Sequence, residues 1–223
     1  AGGEPLAQWI KGSDQSGRAE LWPADPAGGR ALLQSAAAAG VAPAMRELAE
    51  LLFRGHGGPQ DQAAAVGWWA RCAPLGESGC PYNLAVARLT GAGGSAIDVP
   101  EGLRWLRTAA EGGDVQGQFH WGRRLLAGEG VAPSVPQAVD WLRRAAEQGH
   151  GDAAAIAAEF LGTGQGGVTR DPPEALRLAR RGAEAGSAPA AEVLGTMLMG
   201  GRGVAADLAE AARWNRMAAE GGR

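Results

Sequence analysis

At 223 residues, 45% hydrophobic and 20% charged, the chain holds enough apolar material for a packed core and too much for a disordered segment. Its 21 Lys and Arg against 24 Asp and Glu leave a net charge of −3, which argues against a nucleic-acid binder, because gripping phosphates needs a strong basic excess. No apolar run approaches the ~20 residues that cross a bilayer, so no membrane span is expected. The chain opens Ala-Gly-Gly with no starting Met, as a processed or trimmed form would. Eight Trp stand against three Phe and one Tyr, among 37 Gly. Bulky plugs set against small surfaces suit closely packed helices.

Residues 1–24 carry little pattern. Leu6, Trp9 and Ile10 suit one short apolar turn and Gly12 to Gly17 a loop, so the stretch reads as a terminal cap or a worn-down helix. Beyond it the chain repeats itself. Trp105 to Gly113, Trp141 to Gly149 and Trp214 to Gly222 are close copies, and weaker copies set the same closing glycine at Gly40, Gly76 and Gly186. The six anchors are spaced 36, 37, 36, 37 and 36 residues apart, the period of a helix-pair repeat.

Other positions keep that register. Fifteen residues before the anchors stand Asp25, Asp61, Asp98, Ser134, Asp171 and Asp207, all suited to cap a helix N-terminus. Eight before are Leu32, Trp68, Trp105, Trp141, Leu178 and Trp214, read as a core column, with Trp69 beside it and partly exposed. Four before, the residue is always small: Ala36, Cys72, Ala109, Ala145, Gly182 or Ala218. Glycine pairs follow fifteen and seventeen residues after five anchors, from Gly55 and Gly57 to Gly201 and Gly203. Each repeat therefore reads as helix A, from about two to fourteen residues after an anchor and ended by the glycine pair, then a short loop, then a capped helix B running to the next anchor. The expected organisation is a degenerate cap and half repeat over 1–40, then five repeats at 41–76, 77–113, 114–149, 150–186 and 187–222 in one continuous all-α stack of antiparallel helix pairs.

These residues resemble the Sel-one-like repeat (SLR) family, relatives of the tetratricopeptide repeats. In 187–222, Ala188, Ala190, Leu194, Gly195, Gly201, Gly203, Val204, Asp207, Ala211, Trp214, Ala218, Ala219 and Gly222 fall on the family pattern. The repeat at 77–113 has Arg88 where an apolar residue is usual, and that at 150–186 lacks the Trp. The resemblance implies a right-handed α-solenoid of about five to six units. It says little about chemistry, because the family shares an architecture more than a reaction.

Cys72 lies four before its anchor and Cys80 four after, in slots that elsewhere hold Ala109 with Gly117, Ala145 with Ala153, and Gly182 with Ala190. The register brings these slots close together, as a disulfide requires. Two buried free thiols standing in for alanine fit the same slots. The spacing also looks like the cysteine-rich branch of the family, where such pairs are bridged and the proteins exported. That implies a periplasmic or secreted protein whose signal peptide has been removed.

No nucleophile elbow, no His-Glu-x-x-His and no Cys-x-x-Cys occurs, so no catalytic residue, metal ligand or cofactor is assigned. Gly201-Arg-Gly203-Val-Ala-Ala206 matches a loose dinucleotide fingerprint, but it follows a helix where that motif needs a strand. His120 lacks an acid–base partner at sensible spacing and reads as a surface histidine of a binding face. Glu111, Glu147, Glu184 and Glu220 recur as solvated helix ends.

In helix A, Leu48, Leu84, Trp121 and Leu194, then Leu52, Leu125, Leu161 and Leu198, are placed to face the core. At 100° per residue the positions seven and ten after the anchor point elsewhere. With Arg54 they are Glu47, Glu50, Asn83, Val86, His120, Arg123, Ile156, Glu159, Val193 and Thr196, a row that varies while the core slots do not. On the concave side that helix A lines in stacked helix pairs, they are expected to bind a specific partner. The family resemblance implies a non-enzymatic, protein-binding solenoid of the bacterial envelope, with an immunity protein blocking a secreted toxin, an envelope adaptor and a signalling regulator all open. A β-lactam-binding or hydrolysing enzyme is the alternative of another class, set against the missing Ser-x-x-Lys motif.

Overall fold

A computed structural model describes residues 26–201 and 205–221. The expectations for residues 1–24, for Asp25 as a cap, and for Gly203, Val204 and Gly222 lie outside them. The described residues form eleven α-helices and no strand. In chain order these are α1 (Pro26–Ala38), α2 (Ala42–Arg54), α3 (Gln62–Cys72), α4 (Cys80–Thr90), α5 (Val99–Glu111), α6 (Val115–Ala127), α7 (Val135–Glu147), α8 (Gly151–Thr163), α9 (Pro172–Glu184), α10 (Ala188–Gly200) and α11 (Leu208–Gly221). The even-numbered helices from α2 are the A helices and the odd-numbered ones the B helices.

The chain divides into two compact bodies, at Gly112 and Gly113. In the first, α2 packs on α3 and α4 on α5, with α1 against α2 and α3 against α4. In the second, α6 pairs with α7, α8 with α9 and α10 with α11, and α8 and α10 meet as successive A helices. Each body is thus a stack of antiparallel helix pairs, in which neighbours bury the faces that one pair alone would leave bare.

The punctuation is backbone geometry. The residues just past α2, α4, α6, α8 and α10 are Gly55, Gly91, Gly128, Gly164 and Gly201, all left-handed with φ between 58° and 76°. The described anchors Gly40, Gly76, Gly113, Gly149 and Gly186 also have positive φ, between 75° and 94°. A side chain at such a φ clashes with its own carbonyl, so these positions recur as glycine. Helix B starts where expected: Asp61, Asp98, Asp171 and Asp207 accept from the amides of Ala64, Glu101, Glu174 and Glu210 at 2.8–3.1 Å. Ser134 occupies the same place before α7, but its side chain makes no cap hydrogen bond.

The expected A-helix residues are buried: Leu48, Leu84 and Leu194 almost completely, then Trp121, Leu52, Leu125, Leu161 and Leu198. The B-helix column differs by one residue. Leu33, Trp69, Leu106 and Leu142, seven before the anchor, are buried, whereas Trp68, Trp105, Trp141 and Trp214 are half-buried and Leu32 is exposed. Trp69, expected beside the core, lies inside it at 5% exposure. The half-buried tryptophans keep a polar handle at the boundary. The indole N–H donates from Trp105 to Glu101 (3.2 Å) and from Trp214 to Glu210 (3.1 Å). Arg71 and Arg144 lie over Trp68 and Trp141, 4.2 and 4.4 Å from the ring centres. Only in α9, where Ala179 is small, is the residue eight before the anchor, Leu178, fully buried.

Cys72 and Cys80 form a disulfide, Cα–Cα 5.9 Å, with both residues fully buried. It ties the end of one helix B to the start of the next helix A, in the slots that Ala145 and Ala153 fill in the second body.

Candidate functional site

Among the described residues, open grooves run along the A helices, and the expected face lines three of them. In the first body Glu50 and Arg54 of α2 and Asn83 and Val86 of α4 border a cavity of about 390 Å³, backed by Phe53, Trp69 and Tyr82. In the second body His120 and Arg123 of α6 and Ile156 of α8 border one of about 460 Å³. Ile156 and Glu159 of α8, with Val193 and Thr196 of α10, border one of about 410 Å³. Of the eleven face residues only Glu47 lines none of the three; it lies 3.6 Å from Arg46.

Small residues make the grooves. Ala155, Ala158 and Gly162 pave the α8 side of the α8/α10 groove, so no long side chain there fills it. Its banks carry Glu159 and Glu192, and its walls Ile156, Val193 and Met197. The α6/α8 groove is basic, with His120, Arg123 and Arg124 facing one acid, Glu129.

His120 is half-buried, and burial pushes its pKa below the ordinary histidine value; Arg123, His150 and Arg124 lower it further, against an opposing pull from Asp114. His150 has a role that sequence reasoning missed. Its Nδ1 accepts from the Ala153 amide at 3.2 Å and caps α8, while its ring stacks on Phe119 at 4.1 Å. Asp114 and Ser187 cap α6 and α10 from the same position, one residue past the anchor. The signal lay in that column, where Asp, His and Ser stand in successive repeats.

In the first body Arg46 is held by three carboxylates, Glu77 (2.9 Å), Glu50 (3.3 Å) and Glu47 (3.6 Å). Arg88, the departure from the apolar pattern, is half-buried and pairs with Glu101 at 2.8 Å. Among the described residues no group of three or more His, Cys, Asp and Glu is arranged to hold a metal ion, and no helix is long and apolar enough to cross a membrane.

The Sel1 repeat pattern matches at 23–41, 42–73, 82–114, 115–150, 151–187 and 188–222, nearly the whole described chain. This chain belongs to the Sel1 repeat family. Solved structures agree with that. A Sel1 repeat protein from Oxalobacter formigenes is similar with a TM-score of 0.74 and 26% identity, over 86% of this chain and 77% of that one. A protective antigen of uropathogenic Escherichia coli with an SLR fold gives 0.59 and 25%, over 87% of this chain and 49% of that one. An immunity protein from Pseudomonas aeruginosa gives 0.55 and 19%, over 98% of this chain and 81% of that one, a likeness of fold. Among curated proteins, none matches the chain. The functional reading that accompanies a Sel1 repeat protein is a protein-binding solenoid.

Proposed function

We propose that this Sel1 repeat protein is a non-enzymatic solenoid of the bacterial envelope that holds one partner protein on its helix A face, and that the partner is a secreted toxin effector which it neutralises. The observation that carries the reading is the agreement between the variable helix A residues and the grooves: all but one of them border an open cavity between successive A helices. A face that changes from repeat to repeat on a constant frame suits one partner more than many. The buried Cys72–Cys80 bridge supports a place in an oxidising compartment. Two immunity proteins from Pseudomonas aeruginosa that share the fold over 98% of this chain support the antidote reading.

The test uses the tagged chain as bait in the envelope and secreted fractions of the producing bacterium, with two variants beside it. His120→Glu with Arg123→Glu reverses the basic groove, and Arg107→Glu alters an exposed helix B residue. A protein retained by the wild type and by Arg107→Glu, lost with the double variant and toxic when expressed without the chain, is the expected result. Retention equal in all three discards the helix A face, and a retained partner without toxicity discards the antidote role.

A further inference from the structure

The helix A face of the second body carries three exposed charges that form no ion pair among the described residues, Arg123 on α6, Glu159 on α8 and Glu192 on α10, although the Arg123 guanidinium lies over the Phe119 ring, 5.8 Å from its centre. Arg144, Arg213 and Arg216 on the B helices of the same body also form no ion pair among the described residues, so what sets Arg123, Glu159 and Glu192 apart is their place in the grooves. The three groove charges are also sorted. Arg123 borders the α6/α8 groove, while Glu159 on α8 and Glu192 on α10 both border the α8/α10 groove. Ile156 lines both, so the two grooves share a wall. The path across the helices therefore runs from a basic mouth, over an isoleucine ridge, into an apolar trough with a carboxylate on either bank.

We infer that this double groove takes an extended segment of a partner protein that is acidic at one end, aliphatic in the middle and basic at the other. The inference rests on the helix A reading above and adds the chemistry and polarity of what binds there. A carboxylate of the segment lies against Arg123 and Arg124, a Leu, Ile or Val side chain enters between Ile156 and Val193, and a Lys or Arg sits between Glu159 and Glu192. The segment is extended because α8 and α10 pack together, and helices packed about 8–10 Å apart leave room for side chains between them but not for a helix about 10 Å thick. One and a half such steps, from α6 to the middle of the α8/α10 groove, cover roughly 15 Å. At about 3.3 Å per residue that places the acid and the base about four to five residues apart.

The probe is a phage-displayed library of random twelve-residue peptides selected on the full-length chain, followed by fluorescence anisotropy with the enriched peptides. The expected result is a consensus with Asp or Glu, then Leu, Ile or Val, then Lys or Arg, the charges about four to five residues apart. Arg123→Glu weakens these peptides at least tenfold. A peptide whose basic end is changed to Glu binds the wild type at least tenfold more weakly and is restored by Glu159→Lys with Glu192→Lys. All three side chains are exposed, and unchanged circular dichroism verifies that the variants fold. No enrichment, a consensus without this charge order, or binding that Arg123→Glu leaves unmoved overturns the inference. Peptides that respond instead to Glu50→Lys or Asn83→Ala overturn it while leaving the helix A reading standing. Peptides indifferent to every helix A variant remove both.

Discussion

Replacing Cys72 and Cys80 together by alanine removes a bridge whose ends are eight residues apart in the chain and 5.9 Å apart at Cα. In the loop-entropy description, leaving a loop of that length open in the unfolded chain is worth about 2.5 kcal/mol. The void left behind is small, because Ala145 and Ala153 occupy the equivalent slots in the second body and are themselves fully buried. The loss is therefore chiefly entropic. With a urea dependence of about 2 kcal/mol per molar, the midpoint falls by roughly 1 M. The bridge lies in the first body, and helix-pair stacks lose stability locally before it spreads. Tryptophan fluorescence and far-ultraviolet circular dichroism during urea unfolding should therefore show an earlier transition for α1 to α5 than for α6 to α11. A midpoint within about 0.2 M of the wild type would refute the energetic argument, and two reactive thiols in the unfolded, unreduced wild type would refute the bridge itself.

The neighbouring tryptophans separate core from boundary. Trp69→Ala should cost about 3–5 kcal/mol and Trp68→Ala much less, while Trp69→Phe should be mild because the buried Trp69 indole N–H finds no acceptor among the described residues; thermal unfolding of the three variants ranks them. The caps differ likewise. Asp98→Ala should cost about 1 kcal/mol and Ser134→Ala close to nothing, and equal losses in urea would contradict the cap geometry. The pH prediction concerns His120. Its folded pKa lies below the unfolded value, so the fold favours the neutral ring, and that stabilisation is fully present above the unfolded pKa of about 6.5 and lost as pH falls through the folded one. His120→Gln should flatten the fall in stability between pH 7 and 5; a slope identical to the wild type in urea titrations at both ends rejects the assignment.

Much of this was legible in the sequence, for reasons that differ by residue. The helix ends were readable because positive φ leaves glycine almost no substitute, so Gly128 and Gly149 mark their places whatever packs around them. The cysteine pair was readable because other repeat junctions, such as Ala145 with Ala153, showed what size of residue its slots take. The tryptophan column misled. A repeated large aromatic looks like core, but the indole N–H of Trp105 and Trp214 binds a glutamate one helical turn back, and that holds the ring at the edge while the next residue turns inward. The cap on α8 was missed because histidine is a rare cap and its role depends on which nitrogen faces the Ala153 amide. The face residues followed from helical periodicity. The grooves did not, because they depend on how far Ala155, Ala158 and Gly162 let neighbouring helices approach.

The glutamate three residues into helix B has a double duty. Glu174 and Glu210 sit in the first turns of α9 and α11, and each also takes an arginine from the preceding helix B, Arg143 at 3.6 Å and Arg180 at 2.8 Å. Successive hairpins are therefore fastened by an outer rail of opposite charges as well as by the apolar seam. Salt weakens the rail and leaves the seam, so ionic strength should set how far a break in one hairpin propagates into the next: at low salt the second body gives way as a block, and at high salt its hairpins come apart one by one.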